Sequence, residues 1–248
     1  MKKIFPYIIL IILFVASIPE VRAQQAPISH SMYDALLKKY VFDTGKVNYK
    51  GFIKDKAQLE QYLQLLSNNP PQQNWSKDEQ LAYWINAYNA FTIQLITQHY
   101  PLKSIKDISS TKTPSVNTPW DIKFIHIGKE IYDLNNIEHD ILREKFNEPR
   151  IHFAIVCASV SCPKLLNEAF TGTKINQQLD AQARSFINDP IRNKISANRI
   201  QTSEIFDWFK SDFTKNNSLI NFLNKYSKVK INANASVSTL DYNWNLNE

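Results

Sequence analysis

Glycine is scarce. The 248 residues contain four, Gly45, Gly51, Gly128 and Gly172, and these form no cluster. Phosphate cradles of the dinucleotide or P-loop type need closely spaced glycine backbone, so nucleotide handling by those loops is excluded. Only two cysteines are present, Cys157 and Cys162, and they do not form a Cys-x-x-Cys pair. A thioredoxin-like motif and a four-cysteine zinc site are therefore absent too. No long apolar run follows the first twenty residues, no internal repeat appears, and no Gly/Ser/Pro-rich linker divides the chain.

What is present suits a folded domain. The chain is 44% hydrophobic and 12% aromatic, enough for a sizeable core and too apolar for a disordered segment. Lys2 and Lys3 precede an uncharged stretch from Ile4 to Pro19, followed by Val21-Arg22-Ala23. Basic flank, short apolar run and small-residue site together predict a cleaved signal peptide over residues 1–23. Sixteen residues are short for a bilayer span, and no cysteine follows them for lipid attachment. The expectation is an exported chain beginning near Gln24, periplasmic or extracellular in a bacterial envelope, with no stable membrane span once the leader is removed.

The expected mature chain carries 26 basic and 22 acidic side chains, a net +4 spread among opposite signs. That pattern describes a solvated surface better than a nucleic-acid stripe, so nucleic acid is not an expected partner. A small-molecule, peptide or envelope ligand is. No cofactor is called for.

Periodicity predicts helices over Ser31–Tyr40 and Lys54–Ser67. A long helix should start at the capping-box pair Ser76 and Glu79 and stop before Pro101. Its apolar residues circle the axis, so it should be central and buried. Ile122–Ile127 and Glu130–Tyr132 flank Gly128-Lys129 as a hairpin, and a helix should run from Asn135 to Phe146. Ile151–Val156 is the most strand-like run of the chain. Pro163–Phe170 and Lys174–Asn188 read as helices, and Lys194–Ile195 with Arg199–Thr202 as a second hairpin. Ser203 should cap a short aromatic helix and Ser218–Tyr226 should be helical, with tail strands near Val229 and Tyr242. The fold class is α+β: one helix-rich domain, residues 24–248, on a small and mainly antiparallel sheet.

The chemistry-bearing segment is Arg150 to Pro163, which holds both cysteines, Ser159, Ser161 and His152. Three uses compete. A Cys157–Cys162 disulfide fits an exported chain with an even cysteine count. A reactive thiol fits because Cys162 precedes Pro163, which favours a first helical position; a helix start would stabilise a thiolate. A metal site needs four ligands, and with no second cysteine pair none is expected. For the thiol, His152 and His139 are the candidate bases. His139 has Glu138 beside it and Arg143 one turn on. Asn86 and Asn89 share one side of the buried helix; each either clamps a loop backbone or orients a catalytic imidazole. Trp208, Phe209, Tyr242 and Trp244 form either core or an aromatic ligand patch.

These segments resemble the domain of unknown function family 547. The resemblance runs from about Ser31 to Asn247. It rests on Gly45-Lys46-Val47-Asn48-Tyr49, on Tyr83 to Phe91, on Ile137 to Arg143 and on Pro149 to Pro163. Gln178-Leu179-Asp180, Ile205 to Phe209 and Asp241 to Asn247 continue it. It implies no established activity. Some eukaryotic relatives look like fusions with a glutaredoxin-like domain, which this chain lacks. A papain- or transglutaminase-like arrangement is the fold-level analogy suggested by a cysteine at a helix start. Three functions follow: a thiol-dependent hydrolase or transferase acting on an amide or ester, a non-catalytic binding or scaffold domain stapled by a disulfide, and a thiol–disulfide redox protein.

Overall fold

A computed structural model describes residues 26–108, 117–215 and 217–248. The expected leader lies outside them. Four helices open the fold: α1 (Ser31–Tyr40), α2 (Tyr49–Lys54), α3 (Lys56–Asn68) and α4 (Lys77–His99). The long helix is α4, and its capping box is formed: Ser76 Oγ accepts from Glu79 N–H, and Glu79 Oε2 accepts from Ser76 N–H. Fifteen of its 23 residues are buried, as expected for a helix without a polar face. Among the described residues no helix is long and apolar enough to cross a membrane.

The first hairpin forms as expected, β1 (Ile125–Ile127) pairing antiparallel with β2 (Glu130–Tyr132). The next helix departs from ordinary α geometry. Asn136–Arg143 is wound as a π-helix and passes into the single turn α5 (Glu144–Phe146). Pi-winding inserts a residue into the turn and often marks functional positions. Here it carries Glu138, His139 and Arg143. Then come α6 (Ile175–Ile187), β3 (Lys194–Ile195), β4 (Arg199–Ser203), α7 (Ile205–Trp208), α8 (Lys210–Thr214), α9 (Leu219–Leu223) and β5 (Ser236–Leu240). β3 and β4 form the expected antiparallel pair, while β5 joins β4 in parallel. The molecule is thus helix-rich α+β, with its strands split between a two-stranded and a three-stranded sheet.

Four expected elements are corrected. Ile151–Val156 is not a strand: Pro149–Phe153 is a 3-10 turn and the following residues are irregular. Asn89 supplies what a neighbouring strand would have supplied. Its Nδ2 donates to the Ala154 carbonyl and its Oδ1 accepts from Val156 N–H, each at 2.9 Å. Pro163–Phe170 is not a helix either, because side chains occupy its backbone groups. Gln182 Nε2 donates to Lys164 O, Gln178 Nε2 to Ala169 O, and Asn86 makes a two-way bond with Phe170 N–H and C=O. The tail strands near Val229 and Tyr242 are likewise absent. β5 lies between them, and the last residues form a strap.

That strap crosses the cysteine loop. Val160 N–H donates to Asn245 O at 2.8 Å, Ser161 N–H to Asn243 O at 3.2 Å, and Asn247 N–H to Ala158 O at 3.1 Å. On the loop's other side Arg192 donates to Cys162 O and Val160 O. Ala158, between the cysteines, sits at φ 61°. A left-handed alanine costs about 1–2 kcal/mol, so the strap and Arg192 hold a conformation the loop would not adopt alone.

Candidate active site

Two apolar clusters meet at one cleft. One is built on α1–α4 and the loops they bury; the other gathers Phe153, Phe186, Phe206, Phe213 and Phe222. At their seam lies a cavity of about 190 Å³ lined by Glu138, His139, His152, Cys157 and Cys162, together with Tyr88, Trp120, Trp208, Phe209, Tyr242 and Trp244. Four of the six predicted catalytic candidates, and both predicted cysteines, thus share one cavity wall. Asn86 and Asn89 do not line it. Both ends of each carboxamide are bonded to loop backbone, so they fix the two loops that flank the cleft.

The cysteines are joined as a disulfide and no described cysteine is free. Cys162 does not begin a helix, so the helix-dipole argument for its thiolate does not hold. Hydrogen-bond donors take its place. Cys157 N–H at 3.1 Å and the Tyr242 hydroxyl at 3.3 Å point at Cys162 Sγ, and Ser159 Oγ, 3.2 Å from both that sulfur and the Tyr242 hydroxyl, has one hydrogen to give to either. Burial pushes the Tyr242 hydroxyl up to about 12, which keeps it a proton donor at neutral pH. Cys162 is itself buried, whereas Cys157 is part-exposed.

His152 is the best-defined base. It is 3% exposed and stacks on Phe209 with ring centroids 3.9 Å apart. Its Nε2 lies 2.8 Å from Asp212 Oδ2, and Arg143 grips the same carboxylate through Nε at 2.6 Å and Nη2 at 3.0 Å. Burial alone would raise the Asp212 carboxyl; the bonds from His152 and Arg143 outweigh it and hold Asp212 well below the usual carboxylate range. Asp212 is therefore ionised, accepts the His152 Nε2–H and fixes the tautomer with a lone pair on Nδ1. Burial also pushes the His152 imidazole down, against the pull of Asp212, so it stays neutral.

Across from that lone pair stands Glu138. Its Oε1 is 3.9 Å from His152 Nδ1, too far for a hydrogen bond, and Nδ1 has no partner at all. Tyr88, on α4, donates to Glu138 Oε2 at 3.3 Å. Desolvation dominates and pushes the Glu138 carboxyl up to about 7, with Tyr88 and Arg143 opposing the rise and Asp212 adding to it. A buried acid poised at neutrality thus faces a neutral base. His139 has its Nδ1 against Arg143 Nη1 at 2.8 Å, and burial followed by the Arg143 charge pushes it down. Arg143 occupies that ring nitrogen, which makes His139 the weaker base candidate.

Comparison with known proteins bears on the middle of the chain. Residues 72–187 match the family described as protein of unknown function, DUF547. The chain carries a DUF547 domain. No curated protein and no solved structure matches it. The matched part of the DUF547 domain supplies Tyr88, Glu138, His139, His152 and both cysteines. The rings that complete the cleft, Trp208, Phe209, Tyr242 and Trp244, and Asp212 on His152, follow it in the chain. Sequence reasoning missed Asp212 and Tyr88. Asp212 is 60 residues from its histidine, in Lys210-Ser211-Asp212-Phe213, where nothing distinguishes it from a surface acid. For the four aromatics the sequence left core and patch both open; all four line the cleft, and Trp208, 46% exposed, forms its rim.

Proposed function

We propose that the cleft is the active site of an exported thiol-dependent hydrolase or transferase acting on an amide or ester, with Cys162 as nucleophile. The observation that carries this is the convergence of donors on Cys162 Sγ within the cleft that also holds the His152–Asp212 pair. A staple alone has no use for either. Hydrogen bonds to a charged group contribute about 1.5–3 kcal/mol each, so two, or three when Ser159 turns its hydrogen to the sulfur, can offset the cost of a buried thiolate.

The disulfide is the resting form, opened by a small thiol reductant before reaction. The freed Cys162 thiolate adds to the acyl carbonyl and the bond to the leaving nitrogen or oxygen breaks. Glu138, protonated, gives that atom its proton. His152 Nδ1 then takes a proton from the attacking water or acceptor, whose addition releases the acyl group and returns the thiolate; that proton passes on to Glu138, which restores the acid and the neutral base. Asp212 keeps the imidazole oriented throughout.

The test uses reduced protein with p-nitroanilide and p-nitrophenyl acyl substrates and intact mass to trap an acyl-enzyme. An acyl adduct absent from Cys162→Ala supports the proposal, and undiminished turnover in Cys162→Ala overturns it. A bridged pair also favours a second reading, a binding domain stapled by its disulfide. In that case replacing both cysteines lowers stability and leaves ligand binding unchanged. Export is supported by Lys2, Lys3, the apolar run and Ala23; the N-terminal residue of the protein recovered from the envelope should be Gln24.

A further inference from the structure

Basic and acidic side chains are interspersed along the sequence, but not on one face of the fold. Two surface clefts adjoin at the turn after α6 and share Asn188, Pro190, Ser227 and Lys228. Lys164, Arg184, Lys194, Arg199 and Lys228 line them, and among the described residues none of these five forms an ion pair. Asp189 is the one carboxylate lining either cleft among the described residues, and it is already engaged. It accepts from Arg192 Nη1 and from Ile191 N–H.

The same face shows apolar side chains to water. Ile191, in that turn, is 76% exposed, and Val229, between Lys228 and Lys230, is 40% exposed. Asn188 ties their two loops together: its Oδ1 accepts from Lys228 N–H at 2.8 Å and its Nδ2 donates to Tyr226 O at 2.9 Å. Ser227 Oγ donates to Val229 O at 2.9 Å, and Asp189 Oδ1 accepts from Ile191 N–H at 2.9 Å. Both loops are therefore set before a partner arrives, so docking has little ordering to overcome. One exposed aliphatic side chain needs no explanation; two, on loops bonded to each other and bordered by unpaired cations, mark a contact surface.

We propose that this face docks on an anionic phospholipid surface, with its cations against the headgroup phosphates and Ile191 and Val229 entering the acyl boundary. Cations alone would serve any polyanion. The isoleucine and valine separate the cases, because a soluble polyanion offers them nothing to be buried in. The contact is peripheral, needs no spanning helix and does not depend on the thiol-dependent reading.

The experiment measures cosedimentation with vesicles of phosphatidylcholine containing roughly 30% phosphatidylglycerol, and with phosphatidylcholine vesicles alone, in about 50 mM and about 300 mM salt. The chain used begins at Gln24, because the run Ile4–Pro19 would bind lipid by itself; every described helix and strand lies beyond it. The expected result is binding to the anionic vesicles alone, at least ~10-fold weaker in the higher salt. Lys194→Gln with Lys228→Gln should weaken it ~25-fold, at ~5-fold per cation, and Ile191→Ser ~10-fold. Lys50→Gln with Lys129→Gln, the same charge change at exposed positions outside the face, should change it less than ~3-fold. Equal binding to both vesicle types, an equal loss in the Lys50 and Lys129 variant, or full binding by Ile191→Ser overturns the proposal. Binding to dextran sulfate without binding to anionic vesicles assigns the face to a soluble polyanion and overturns it too. The lipid and salt comparisons are read on the wild-type chain, so they decide even where a variant misfolds.

Discussion

Replacing Glu138 by glutamine should stabilise the protein at neutral pH and leave it unchanged in acid. Glu138 is buried, and its carboxyl is pushed from the ordinary 4.5 up to about 7. The folded state therefore prefers the protonated form while the unfolded chain ionises near 4.5. Below that value both states hold the proton and the residue costs nothing. As pH rises to about 7 the unfolded state gains by ionising, and the folded state loses stability relative to it. At about 1.4 kcal/mol per pH unit, the full cost above pH 7 is about 3 kcal/mol. Glutamine is the same size, keeps an acceptor for Tyr88 and does not ionise. Urea denaturation of both proteins from pH 4 to pH 8 should give coincident stabilities at the acid end. The curves should diverge to about 3 kcal/mol at pH 8, or about 6–12 °C in midpoint for a chain of this size. His152 also takes part in this window, since its depressed imidazole costs stability as pH falls below 6.5, but it does so in both proteins and cancels in the difference. A difference that is flat with pH would refute the claim that a desolvated carboxyl lies at the floor of the cleft.

Other outcomes follow from the same geometry. Asn89→Ala leaves Ala154 O and Val156 N–H buried without partners, which should cost about 2–4 kcal/mol by chemical denaturation, and it should loosen the loop that carries Cys157. Asp212→Asn removes the carboxylate that fixes the His152 tautomer; imidazole NMR should show mixed Nδ1–H and Nε2–H forms, and a single unchanged tautomer would contradict the role given to Asp212. Because Asp212 is held low in the folded state, its contribution is present above the ordinary carboxylate range and is lost as pH falls through its folded value, so wild-type stability should decline more steeply in strong acid than that of Asp212→Asn. Reduction of the six-residue Cys157–Cys162 ring should cost only about 2 kcal/mol, leaving a folded protein by circular dichroism.

The parts of the fold that sequence reasoning reached are those specified locally. The capping box at Ser76 and Glu79, the turn at Gly128 and the periodicity of α1, α4 and α6 each lie within a few neighbouring residues. The failures share a cause as well. Ile151–Val156 has the composition of a strand, but its backbone partner is a carboxamide on α4 more than sixty residues earlier. Likewise Pro163–Phe170 is held out of a helix by Asn86, Gln178 and Gln182. Within the site, the cysteines, His152, Glu138 and His139 stood out through their company in sequence. Asp212 and Tyr88 did not, because a charge partner or a hydroxyl donor acquires its meaning only when distant segments meet. Asn86 and Asn89 were rightly marked as needing partners, and those partners are loop backbone.

The central claim is that Cys162 is built to be a thiolate. Its most direct test is the ultraviolet absorbance of the reduced protein at 240 nm as a function of pH, taken as the difference between wild type and Cys162→Ala. That signal needs no reagent to reach a buried sulfur. The donors predict a Cys162 ionisation at least one unit below the ~8.5 of a free cysteine, moving upward in Tyr242→Phe. An ionisation at or above 8.5 in the folded, reduced protein would mean that burial prevails over the donors and that the pair is a staple.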